Sequence, residues 1–123
     1  MKRSYLITRE QLDRVVVNYL NDKMKGGKII TDGPNNSVTV HNFITNKGSK
    51  LLSVYEYGPQ HDMSGNVVEG PSATLAIYYK IISFFMSHLN IKEHKAIDLI
   101  ADWFEDTYDF KYDKLSVFER PYH

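Results

Sequence analysis

The sequence predicts an α+β fold in a single domain covering residues 1–123. Three observations carry the prediction. Segments at 8–24, 72–89 and 92–108 have helical spacing or helical length, and short runs rich in β-branched and aromatic residues stand between and after them. The turn sequences between the early runs are short and suit antiparallel hairpins. A chain of 123 residues, 42% hydrophobic and 13% aromatic, can close a core, and no composition break marks a domain boundary. The expected order is αβββααβ, a small antiparallel sheet of three or four strands with three helices packed mainly on one face.

The elements follow in order. Thr8 and Gln11 have capping-box spacing, in which the hydroxyl takes one orphan N–H and the amide reaches back to another. Leu12, Val15, Val16, Tyr19 and Leu20 then recur at helical spacing, and Gly26-Gly27 stops the helix. "KIIT" at 28–31, "SVTVHNFI" at 37–44 and "KLLSVYEY" at 50–57 read as strands joined by the turn-rich "DGPNNS" and "NKGS". Residues 58–71 have Gly-Pro at each end and no period, so they read as a long loop. Ser72 is the expected cap of a second helix ending near 89. Its stretch "IYYKIISFFMSHL" is apolar almost all the way round, with only Ala76, Lys80, Ser83 and Ser87 in the polar or small wedge. Such a helix is expected in the centre of the helical layer. The third helix pairs an apolar side (Ala96, Ile97, Ile100, Trp103, Phe104, Tyr108) with a polar one, and "DKLSVFE" at 113–119 reads as a last strand.

Composition removes several functional classes. Lys+Arg and Asp+Glu number 15 each, so no overall field draws the chain to DNA, RNA or anionic lipid. With no cysteine there are no disulfides, thiolate metal sites or Cys nucleophiles. The N-terminal "MKRSYLI" is too short in apolar residues for a signal peptide, and Lys80 interrupts the one transmembrane candidate. A soluble, cytoplasmic protein without a cofactor is the expectation. Charge is nonetheless unevenly placed. Residues 1–28, which include Lys2 and Arg3, carry a net +4, and residues 92–113 a net −4. Two such faces suit contact between copies, or else neutralise each other inside one molecule.

Three groups of residues are candidate sites. In the 58–71 loop, His61, Asp62, Met63, Val67, Val68 and Glu69 are candidates for contact with a protein partner, because long loops often carry binding residues. Tyr78, Ile81, Phe84 and Phe85 are a candidate apolar interface, the surplus of an over-apolar helix together with Tyr5, Tyr55, Tyr57 and Tyr79. His94, Asp98 and Asp102 stand on successive turns of the third helix, where imidazole and carboxylates at that spacing form a weak candidate for a divalent cation. A solvated acidic face explains the same row. His41 reads as an ordinary strand residue. No G-x-S-x-G, H-E-x-x-H or P-loop motif is present, so no catalytic residues are assigned and an enzyme is not expected.

"YLITREQLDRVVVNYLND" near the start and "IDLIADWFEDTYDFKYDKLSVF" near the end resemble the two ends of small uncharacterised α+β proteins of tailed bacteriophages, particularly marine ones. The likeness covers about a third of the chain and excludes its middle. It implies a phage accessory or virion-associated protein, located in the host cytoplasm or the virion and working by contact. The residues themselves point to a non-enzymatic protein-interaction or assembly module acting through a protein partner or self-association. The alternative is a small nucleic-acid- or ligand-binding accessory domain.

Overall fold

The capping box forms as its spacing demands. In the computed structural model, which describes residues 8–121, the Gln11 amide N–H donates to Thr8 Oγ1 (3.1 Å) and the Thr8 N–H donates to Gln11 Oε1 (2.9 Å). They start helix α1 (Arg9–Met24), which buries Leu12, Val16 and Leu20 and leaves Val15 exposed. Lys2, Arg3 and Tyr5 lie outside the described residues. Gly26 takes a left-handed φ of 79°, and Gly27 runs so close to β2 that a Cβ there would lie 2.3 Å from the Ile44 carbonyl oxygen. Glycine is thus required at both positions of the helix stop.

Strands β1 (Lys28–Asn35), β2 (Val38–Ile44) and β3 (Lys50–Tyr57) form the expected antiparallel meander. The β1–β2 turn is narrower than "DGPNNS" suggests. Only Asn36 and Ser37 turn, both at positive φ, while Asp32–Asn35 stays in the strand through an irregular register. A bulge at Leu51, between the Phe43↔Leu52 and Ile44↔Lys50 pairs, turns Leu51 into the core beside Leu52. Residues 58–71 are not wholly irregular. They contain a small hairpin, β4 (Gln60–His61) with β5 (Val67–Glu69), which extends the β3–β6 hairpin.

The main correction concerns residues 72–89. Ser72–Tyr78 is strand β6, paired antiparallel to β3, and only Tyr79–Leu89 is helix α2. Tyr78 occupies the N-cap position without a side-chain cap, and Ser72 caps nothing. The cause is burial on both sides. Leu75, Ala76 and Ile77 are fully buried, and a strand buried on both faces gives a continuous apolar run that periodicity cannot separate from a buried helix. α3 (Glu93–Thr107) follows, then β7 (Lys114–Phe118), which pairs parallel to β6. The described residues therefore form a five-stranded, mostly antiparallel sheet in the order β1-β2-β3-β6-β7, with three helices. The α2–α3 segment is the crossover that a parallel pair requires.

Register assigns the two sheet faces. Phe43, Leu52, Val54, Leu75 and Ile77 share one face and join the helical side chains in one core. α3 is the central helix, not α2 as the sequence suggests. It contacts both α1 and α2 and buries Ala96, Leu99, Ile100, Ala101, Trp103 and Phe104. Phe43 meets Phe104, Tyr108 and Phe110 edge-on, and Trp103 Nε1 donates to Asn21 Oδ1 (2.8 Å), tying α3 to α1. The opposite face carries Tyr55, Tyr78 and Phe118 in aromatic contact, next to the fully buried Ser53 and Ala76.

Candidate functional site

The hairpin of residues 58–71 is an arm. No helix or main-sheet strand packs extensively against β4 or β5. Its tip is built by Asp62, whose carboxylate oxygen Oδ1 accepts from the Ser64 and Asn66 N–H groups (2.9 Å each), while the Gly65 N–H donates to its carbonyl (3.0 Å). This Asx-type turn explains why a segment without core contacts keeps a shape. His61 pairs with Val67 and Gln60 with Glu69. Met63, Val67 and Val68 are among the most exposed large apolar residues of the described chain. The structure therefore brings the six loop candidates into one exposed element, with Asp62 acting on the turn.

The apolar-interface candidates fare differently. Tyr78, Ile81 and Phe85 are 7%, 9% and 1% exposed, so their surfaces are largely spent inside the domain and form no apolar interface. The reason is the strand assignment. With residues 72–78 in the sheet, the helix has only eleven residues to bury, and α3 and Tyr19 of α1 pack against it. Phe84 alone stays partly open, stacked between Tyr19 (centroids 4.5 Å) and His88 (3.9 Å).

The α3 row is not a ligand set. His94, Asp98 and Asp102 are exposed, Asp102 pairs with Arg9 of α1 (2.6 Å), and among the described residues no three His, Asp or Glu side chains converge to hold a metal ion. The Arg9 pair joins the two unevenly charged segments, which lie side by side, so part of their charge is neutralised inside one molecule. The start of α1 (Arg9, Glu10, Asp13) forms a shallow acidic cleft with Asp102, Glu105 and Asp106. Nearby, Tyr112 donates to Glu105 (3.0 Å). Burial first, then that bond and the surrounding carboxylates, push its phenol up to about 12.

His41 sits in a row across the sheet, with Thr31 Oγ1 at Nδ1 (2.9 Å), Glu56 at Nε2 and Phe110 against its ring. This row links β1, β2 and β3, as an ordinary strand residue would.

One hollow escaped the sequence reading. A cavity of about 350 Å³ lies between the end of α1, the β2–β3 turn and α2. Its walls include Lys23, Lys47, Lys50 and Lys80 with Tyr19 and Phe84, and no carboxylate among the described residues lines it. These lysines are far apart in sequence and no motif joins them. The only readable sign was the polar wedge of Lys80, Ser83 and Ser87 on an otherwise apolar helix, and that wedge faces the cavity.

Compared with family models, curated proteins and solved structures, the chain matches none. No helix among the described residues is long and apolar enough to cross a membrane.

Proposed function

We propose that the chain is a non-enzymatic interaction module that contacts a protein partner through the β4–β5 arm. The observation that supports this most is the exposure of Met63, Val67 and Val68 at the end of a shaped ribbon that the core does not use. An apolar tip costs solubility and adds nothing to the domain's own packing, so its use lies outside the domain. Met63 adapts to irregular apolar grooves, and His61 beside the turn and Glu69 at the base of the arm supply polar groups along it. The resemblance of the two chain ends to phage proteins favours an accessory or virion-associated role.

The test places a photo-crosslinking residue at Val67, and as control at Val15, an exposed apolar residue on α1. The chain is irradiated in cells that make it, and adducts are identified by mass spectrometry. A discrete protein adduct at position 67 and none at 15 is the expected result. Equal or diffuse labelling at both positions would sink the proposal. Light scattering on the purified chain then tells whether the adduct is a second copy or a different protein.

A further inference from the structure

The lysine-lined cavity has a chemistry independent of the arm. Lys23 comes from the last turn of α1, Lys47 and Lys50 from the β2–β3 turn and the start of β3, and Lys80 from the first turn of α2. Among the described residues, none of the four has a carboxylate within ion-pair distance. Four like charges around one mouth repel each other, and a multiply charged anion relieves that repulsion. Lysine rather than arginine suits phosphate oxygens met as point charges, and makes no planar two-point grip on a single carboxylate.

A second feature adds to the same field. α2 begins without a side-chain cap and without an acidic residue in its first turn, and Lys80 and Ile81 of that turn line the cavity. The uncompensated N–H groups and positive dipole end of a helix favour an anion there. The remaining walls are apolar, from Tyr19, Leu51, Ile81 and Phe84, with hydroxyls from Ser49, Ser83 and Ser87. A volume of about 350 Å³ falls within the range of small-molecule sites. The bulge that turns Leu51 inward and the polar wedge of α2 thus both help to build this one hollow.

We propose that this cavity binds a small phosphorylated molecule with a ring-bearing body, of the nucleoside diphosphate class. The phosphates meet the four lysines and the start of α2. The ring meets the partly open Tyr19 and Phe84, backed by the buried Leu51 and Ile81, and sugar hydroxyls meet the serines.

The experiment is calorimetric titration of the full chain with adenosine, guanosine, cytidine and uridine 5′-diphosphates. Inorganic pyrophosphate and a twelve-nucleotide single-stranded DNA serve as further probes. At least one diphosphate should bind at one per chain, more weakly as salt rises. Lys50→Gln with Lys80→Gln should weaken it at least about tenfold with the melting temperature unchanged, since both side chains are exposed. Phe84→Leu should weaken the nucleotide while leaving pyrophosphate unaffected. The proposal falls if no diphosphate binds below millimolar concentration, or if the double lysine variant binds as well as the parent. Pyrophosphate binding as tightly as the best nucleotide would overturn the role given to the ring. Tighter binding of the DNA would overturn the small-molecule reading in favour of a strand.

Discussion

Residues 58–71 and residues 72–78 are consecutive in the chain and both carry large aliphatic side chains, yet these end in opposite environments. Val67, Val68 and Met63 of the arm face solvent, while Leu75, Ala76 and Ile77 of β6 are fully buried. Composition already leans the same way, with three glycines and two prolines in the arm and none in β6. Neighbours complete the separation: β6 has β3 on one side, β7 on the other and helices above, and the arm's strands pair only with each other. An apolar run becomes core when other elements reach it, and otherwise stays available to something outside the domain.

The sharpest way to test that contrast is at its buried end. Leu75→Ala removes a fully buried side chain beside Val54 and should cost about 2–5 kcal/mol in chemical denaturation. A cost below about 1 kcal/mol would mean that β6 is not the centre of the core. The boundary between the two regions gives a smaller effect. Asp113 accepts from the Ala73 N–H (2.7 Å), pinning the start of β6, and Tyr112 stands next to it in sequence. The Tyr112 phenol is neutral in the fold up to about pH 12, against an ordinary value of 10. Its contribution to stability is therefore complete below about pH 10 and is lost as pH rises from there toward 12. Tyr55 and Tyr108, also pushed up mainly by burial, add to the loss. Tyr112→Phe should flatten the alkaline fall in melting temperature, and an unchanged profile would remove Tyr112 from the account. The smallest effect belongs to the arm. Replacing Met63, Val67 and Val68 together with serine should shift stability by no more than about 0.5 kcal/mol per site. A larger loss would show that the arm supports the fold after all.

The same contrast explains what could be read in advance. The α1 capping box, the Gly26-Gly27 stop, the meander and the amphipathic α3 were legible because each carries a local signal: a side-chain bond, a special φ or a clear period. The β6–α2 boundary carries none. Tyr78 provides no cap, and double burial erases the alternation that would have announced a strand. The loop residues were found because length and Gly-Pro punctuation are sequence properties, although the hairpin inside them was not foreseen. The lysine cavity is the least legible feature, since its members meet only once α1, the β2–β3 turn and α2 have packed.

The parallel pairing of β6 with β7 has a consequence for how the molecule is made. As the chain leaves the ribosome, the strands from β1 to β6 can pair among themselves, but the outer edge of β6 waits for residues 114–118, beyond two helices. For that interval the newborn chain presents an unpaired apolar edge, the kind of template on which other strands add. A truncation before Lys114, or a stall in translation there, would leave that edge open for good. Quality control by chaperones would then decide the protein's yield.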